Sequence, residues 1–207
     1  MKWKKINSIL KKMIDDKKTI YVVSGFMRTG TSMMMKAFET GGLEVVRSNE
    51  RDKMNDKFGD KDYKPNPNGF YEIENLSQVR QDDFMEKCRG KVIKVMFNDV
   101  LNISVKDYKV VFMIRNKEEV RQSFEAFFQR KSPAIKYDKL MEHIVKILEN
   151  RKDVQLTVLN YRDVINNPRK EFQKLKDGGW EIDIDKCISI VSPNLCRFKI
   201  ENLTIGI

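Results

Sequence analysis

The sequence predicts an α/β fold: a single domain built on a parallel β-sheet flanked by helices on both faces. Three observations predict it. Short β-branched runs alternate along the chain with segments of helical period, the pattern of repeated strand and helix units. The run TIYVVS at 19–24 has no polar alternation, as expected of a strand buried on both faces. With 207 residues and 41% hydrophobic content the chain can bury one sizeable core, whereas two would each be small, so 1–207 is read as one domain.

Each element has its own justification. Residues 1–18, MKWKKINSILKKMIDDKK, read as a short basic amphipathic helix, because charges interrupt the apolar residues before the core of a signal peptide can form. TIYVVS is the first strand; Thr31 to about Thr40 is helical and is stopped by Gly41-Gly42. LEVV at 43–46 is a second strand. Residues 47–69, charged and ending in KPNPNG, form a long polar excursion, a length that is usually functional or disordered. Helical spacing resumes near Glu74 and runs to about Arg89. KVIKVMF at 91–97 and KVVFMI at 109–114 are strands joined by a short segment without a clear crossover helix.

Asn116 with Glu119 three residues on has the form of a helix cap with its reciprocal partner. The helix they open carries Val120, Phe124, Phe127 and Phe128 on one side. Another spans about 136–150, with Tyr137, Leu140, Met141, Ile144 and Leu148 at helical spacing. QLTVLN at 155–160 is the last strand, Pro168 opens a helix to about Lys176, and the C-terminal segment shows no definite pattern. There is no internal repeat or low-complexity tract.

The net charge of +10 is spread along the chain without a basic arm, which suits an acidic ligand or a solvated lysine-rich surface. No helix-turn-helix, zinc-finger or RNA-binding signature accompanies it, so nucleic acid is not the expected partner. Cys88, Cys187 and Cys196 are odd in number and far apart, with no Cys-x-x-Cys pair and one histidine in the chain. Neither a disulfide framework nor a zinc site follows, and a reducing cytoplasm is the expected location. No run approaches the roughly 18 apolar residues that a transmembrane helix needs.

Chemistry concentrates in YVVSGFMRTGTSMMMKAF at 21–38. A strand that ends in a glycine turn and opens a helix points several backbone N–H groups, and the positive end of the helix dipole, at one spot. An oxyanion is the natural ligand. Thr29, Thr31 and Ser32 add hydroxyls around Gly30, and Arg28 adds a permanent fork of donors. The P-loop lysine that reaches the terminal phosphates of a nucleoside triphosphate is replaced by Thr31. A serine and threonine helix cap explains Thr31 and Ser32 equally cheaply. In MIRNKEEVRQSFEAF, Arg115 stands at the carboxyl end of a buried strand, where open α/β sheets bind ligands, and Ser123 follows eight residues later on the next helix. The pair is either a clamp for a second phosphate or a surface cation beside a tolerated helix serine.

Together these segments resemble the sulfotransferase family, whose members have a P-loop-like fold and take 3'-phosphoadenosine 5'-phosphosulfate (PAPS) as sulfuryl donor. The family's 5'-phosphosulfate loop reads about Pro-Lys/Arg-Ser-Gly-Thr-Thr/Ser, which Arg28-Thr29-Gly30-Thr31-Ser32 matches from the basic residue onward. Its 3'-phosphate signature, an arginine at a strand end and a serine eight residues on, is similar to Arg115 and Ser123. NYRDVINNPRKEFQKL resembles the family's Tyr-Glu-Asp-hydrophobic stretch, which implies that Tyr161 lies against the nucleotide; an aromatic capping a strand is the plain alternative. PNGFYE at 67–72 resembles a segment of bacterial members, and the resemblance as a whole covers about residues 19–177.

Departures define what is open. Where cytosolic members carry Lys-Thr-His at a strand end, VIKVMF keeps Lys94 but has Met96 at the histidine's place. Lys94 either escapes at the sheet's end or faces a charged ligand, where the resemblance implies that it steadies the bridging oxygen. His143 lies on a helix far from every motif and is read as solvated. The base is then Glu72, after a Gly-Phe-Tyr turn, unless Glu72 is only a helix-start acid; Asp99 is the second choice. The resemblance implies a small-molecule or glycan acceptor with a hydroxyl or amine, and no metal. Two other classes compete: a P-loop kinase with magnesium on Ser32 and Asp99, and a non-catalytic anion binder with strongly salt-dependent affinity.

Overall fold

Five strands form one parallel sheet in the order β2-β3-β1-β4-β5 in a computed structural model that describes residues 19–50, 53, 69–133, 136–196 and 198. The strands are β1 (Ile20–Gly25), β2 (Glu44–Val46), β3 (Lys91–Met96), β4 (Tyr108–Ile114) and β5 (Val154–Asn160). β1 is central and buried along its whole length, as its unbroken apolar run requires. All four pairings are parallel, with Val23 opposite Lys94 of β3 and Val111 of β4.

Helices cover both faces. On one lie α1 (Thr31–Thr40), α5 (Tyr161–Asn166), α6 (Pro168–Asp177) and α7 (Ile184–Ile188), which bury Met34, Phe38, Phe172 and Trp180 against Tyr21, Val23 and Val111. Phe38 stacks on Trp180 with ring centres 4.7 Å apart. The other face carries α2 (Asp82–Glu86), α3 (Lys117–Phe128) and α4 (Tyr137–Glu149), whose Met85, Val120, Met141 and Ile144 meet Val22, Ile93 and Val110. The alternation of a strand's side chains between two apolar layers is why β1 shows no polar face.

Three expectations change. The single helix expected over 74–89 is broken: a 3₁₀ turn, Leu76–Arg80, is separated from α2 by Gln81 in extended conformation. Asn75 caps the first piece through the Ser77 N–H, and Asp82 and Asp83 favour a second helix start through its dipole. The C-terminal segment contains α7, capped by Asp183 on the Lys186 N–H. A further short helix, α5, precedes α6, because Asn160 caps it through the Arg162 N–H. The helix expected at 1–18 and most of the excursion at 47–69 lie outside the described residues; within the latter, Asn49, Glu50 and Lys53 are helical. Among the described residues no helix is long and apolar enough to cross a membrane.

Candidate active site

β1 ends at Gly25 and the chain turns through Phe26 to Gly30 into α1. Thr29 closes the turn, its N–H and its hydroxyl both donating to the Phe26 carbonyl, at 3.3 and 2.7 Å. Gly30 has φ 96°, and a Cβ there would stand 2.5 Å from the Tyr161 ring, so conformation and space both demand glycine. Arg28 also has positive φ, 70°. It is held by its neighbours: the Arg115 Nη1 donates to its carbonyl at 3.1 Å, and its own Nε donates to the Ser123 hydroxyl at 3.0 Å. Its guanidinium packs 5.0 Å from the centre of the Phe127 ring.

The cap residue of α1 is Gly30, and no side chain caps this helix. Helix capping therefore does not explain the hydroxyls. Thr31 is the first helical residue and is buried, while Ser32 donates to the Phe70 carbonyl at 3.2 Å. The first-turn N–H groups of α1 and its dipole are directed at the mouth of the turn.

Lys94 arrives from the neighbouring strand. Its register opposite Val23 sets its stem on the α1 face of the sheet. The ammonium donates to the Phe70 carbonyl, stands 3.5 Å from the Ser32 hydroxyl and lies 3.7 Å from Glu72 Oε1. The lysine is only 5% exposed, so its charge is met by these oxygens and not by escape at the sheet's end. Glu72 belongs to no helix, which removes the helix-start explanation; its carbonyl accepts from the Ser48 N–H at 2.8 Å. Tyr71 before it is fully buried at φ 58° and donates to Glu39 at 2.6 Å, anchoring this turn to α1. Such backbone strain in a non-glycine residue costs on the order of 1–3 kcal/mol and persists where surroundings enforce it.

Met96 ends β3 opposite Gly25. Asp99 is buried with its carboxylate 3.3 Å from Arg80, whereas Ser32 has Lys94 and Phe70 as partners. His143 is exposed on α4. Among the described residues no three His, Cys, Asp or Glu side chains gather as a metal-binding group.

Arg115 follows β4, with its N–H on the Tyr137 hydroxyl at 3.3 Å. Its Nε donates to Glu119 at 2.8 Å, its Nη2 to the Phe198 carbonyl at 3.3 Å, and its guanidinium lies 4.2 Å over the Tyr161 ring. Tyr161 is the first residue of α5 and sits between Arg115 and Gly30; burial pushes its phenol up to about 12, with the Arg115 charge opposing. Arg28, Arg115, Ser123 and Tyr161 thus form one connected group on the carboxyl rim, next to the group of Ser32, Lys94 and Glu72.

Two residues of this rim carry roles that the sequence did not reveal. Glu119 is not the reciprocal partner of Asn116, which caps α3 alone through the Glu118 and Glu119 N–H groups. The Glu119 side chain is fully buried and bridges Arg115 to Arg162, whose Nε donates to it at 2.5 Å. A buried carboxylate takes charged partners over an exposed backbone N–H. The spacing of Arg115 and Glu119, four apart across a helix start, was the available signal. Arg162 was visible only as a basic residue where the resembled stretch has glutamate.

No protein-family model and no curated protein matches the chain. Among solved structures, an unliganded sugar kinase from Janibacter sp. HTCC2649 is similar at 17% identity with a TM-score of 0.40, covering 84% of this chain and 99% of the other. A sulfotransferase from Mycobacterium tuberculosis H37Rv is similar at 12% identity with a TM-score of 0.46, covering 90% of this chain and 72% of the other.

Proposed function

We propose that the chain is a sulfotransferase that moves a sulfuryl group from PAPS to a hydroxyl or amine acceptor. The observation that carries this reading is the ammonium of Lys94 beside the Ser32 hydroxyl at the first turn of α1. A P-loop kinase needs magnesium on that hydroxyl, and a buried ammonium 3.5 Å away repels a divalent cation there. The same ammonium attracts an anionic leaving oxygen. Fit to the donor is supported by the helix start without a side-chain cap, the Arg28 fork beside it, and a second basic group at Arg115 and Ser123.

When bound, the donor supplies a sulfuryl group joined to its 5' phosphate through a bridging oxygen; that S–O bond breaks as one to the acceptor forms. The turn amides from Thr29 to Ser32 and the Arg28 guanidinium hold the 5' end. Arg115 and Ser123 hold the 3' phosphate, and Tyr161 lies against the nucleotide. Lys94 meets the charge that develops on the bridging oxygen. Glu72 takes the acceptor's proton, and its place 3.7 Å from Lys94 puts the base in contact with the cation. Phe70 and Phe127 pack with ring centres 5.7 Å apart, and Phe127 lies under the Arg28 guanidinium, so the apolar surface beside Arg28 is aromatic.

Thermal melting with 3',5'-ADP, ATP, and ATP plus magnesium tests the reading. A ligand at a hundred times its Kd adds about 2.7 kcal/mol to the native state, which raises the midpoint by about 5–10 °C in a chain of this length. The expected result is a magnesium-independent rise with 3',5'-ADP. A rise seen only with ATP and magnesium assigns the site to a kinase. Glu72→Gln should abolish turnover with 3',5'-ADP binding intact; an active variant removes Glu72 from the mechanism.

A further inference from the structure

We propose that Arg115 is a positioning residue for the 5' pocket: it holds the turn at Arg28 and Gly30 in its binding conformation, so that even a ligand without a 3' phosphate depends on it. The inference rests on the sulfotransferase reading for the identity of the ligand and gives Arg115 a second role within it. The turn needs such support. The Thr29 N–H donates to the Phe26 carbonyl, which places Arg28 third in a four-residue turn, at φ 70°. Turns with positive φ at that place carry glycine or asparagine, because a longer L side chain is strained there. Arginine at 28 sets its Nε on Ser123 and leaves its backbone in a conformation that it does not favour by itself.

Arg115 meets this strain directly. Its Nη1 donates to the Arg28 carbonyl at 3.1 Å, and its guanidinium lies 4.2 Å over the Tyr161 ring. The same ring approaches Gly30 so closely that a Cβ there would stand 2.5 Å from it. Both residues of positive φ in the turn, Arg28 and Gly30, are thus reached from one side chain, the first through a hydrogen bond and the second across the ring. Arg115 can fix the turn because it is itself fixed: its Nε donates to the fully buried Glu119 at 2.8 Å, its Nη2 to the Phe198 carbonyl at 3.3 Å, and its backbone N–H to the Tyr137 hydroxyl at 3.3 Å. A charge-assisted bond to a carbonyl is stronger than a neutral one, and a side chain already held in place loses little further entropy in making it. A turn without this bond reaches the binding conformation for only a fraction of the time, and its apparent affinity for a 5' anion falls by that fraction.

Calorimetric titration of the full chain with 5'-AMP, which lacks a 3' phosphate, and with 3',5'-ADP tests this. Wild type should prefer 3',5'-ADP. Arg115→Met should lose about five- to thirty-fold in affinity for 5'-AMP, the scale of strain at a left-handed residue other than glycine, and more for 3',5'-ADP, which also loses a phosphate contact. In an Arg28→Gly background the turn amides remain, and glycine adopts the positive φ unaided. There the same Arg115→Met change should alter 5'-AMP affinity by less than about three-fold. A general disturbance of the fold gives no such relief, so equal losses in the two backgrounds overturn the proposal. Unchanged 5'-AMP affinity in Arg115→Met, with a loss for 3',5'-ADP alone, makes Arg115 a phosphate ligand only; it overturns the proposal and leaves the sulfotransferase reading standing. If Arg115→Met does not fold, Arg115→Lys decides in the same two backgrounds. Lysine keeps a cation beside Glu119 but has no planar fork to span Glu119 and the Arg28 carbonyl together, so the loss and its relief by glycine should recur; retained 5'-AMP affinity overturns the proposal. A wild-type chain that binds both nucleotides equally overturns the 3'-phosphate assignment and leaves the positioning role to the 5'-AMP comparison, whereas one that binds neither overturns both.

Discussion

Replacing Gly30 by alanine tests the geometry on which the loop depends. At φ 96° the position lies in left-handed space, where an L side chain costs about 1–2 kcal/mol. The added Cβ would also stand 2.5 and 2.9 Å from two ring atoms of Tyr161. That ring cannot move away freely, because it lies between Gly30 and the Arg115 guanidinium 4.2 Å above it. Relieving such overpacking costs about 1–3 kcal/mol more. The sum, about 2–5 kcal/mol, corresponds to a midpoint about 4–20 °C lower in a chain of this length. Thermal melting of Gly30→Ala, Tyr161→Leu and the double variant separates the two parts. Shortening the ring should relieve the contact and leave the backbone term, giving a coupling of about 1 kcal/mol or more between two touching sites. A Gly30→Ala chain that melts with wild type, or a double variant whose losses simply add, refutes the reasoning.

Two other outcomes follow from the same geometry. Lys94→Met removes the ammonium but keeps the stem's volume, and should lower kcat for sulfuryl transfer by about 10²–10³-fold, the scale of losing one electrostatic contact to the transition state; steady-state kinetics with unchanged kcat exclude Lys94 from the chemistry. Glu39 is pushed up by burial but pulled further down by hydrogen bonds from Tyr71 and Lys36 and by the charges of Lys36 and Arg47, so its folded pKa lies below the ordinary value. Its contribution to stability is then present above about pH 4.3, the ordinary glutamate value, and is lost as pH falls through the lower folded value. Urea midpoints of wild type and Glu39→Gln should converge in that acid range; a constant gap across it contradicts the assignment.

Much of this molecule is legible locally. β1, β3, β4 and β5 follow from apolar runs, α1 from a glycine turn at one end and Gly41-Gly42 at the other, and the start of α3 from Asn116. Each signal lies within a few residues of the element it sets. The broken helix at 76–86 was not legible, because its apolar spacing continues across Gln81 while the break is made by backbone contacts, such as the Ser104 N–H on the Val79 carbonyl. Glu119 was misread for a related reason. Its position three residues after Asn116 fits a cap, and only the fold brings Arg162, 43 positions away in sequence, to its other oxygen.

The basic side chains of the rim illustrate why a site is harder to read than a strand. A charge cannot enter an apolar layer alone, so each buried cation arrives with a carboxylate drawn from wherever the fold supplies one. Lys94 of β3 has Glu72 from the turn after the polar excursion, and Arg115 has Glu119. Pairing also sets when each charge is available. In the proposed reaction Glu72, 3.7 Å from the ammonium, offsets part of its charge before transfer. Once Glu72 accepts the acceptor's proton, that offset is lost, and the field of Lys94 strengthens as the leaving oxygen becomes an anion. A base and a cation in contact thus tie the gain in positive field to the step that needs it. That coupling requires Glu72 to stand beside Lys94, and a solvated base elsewhere on the rim would not provide it.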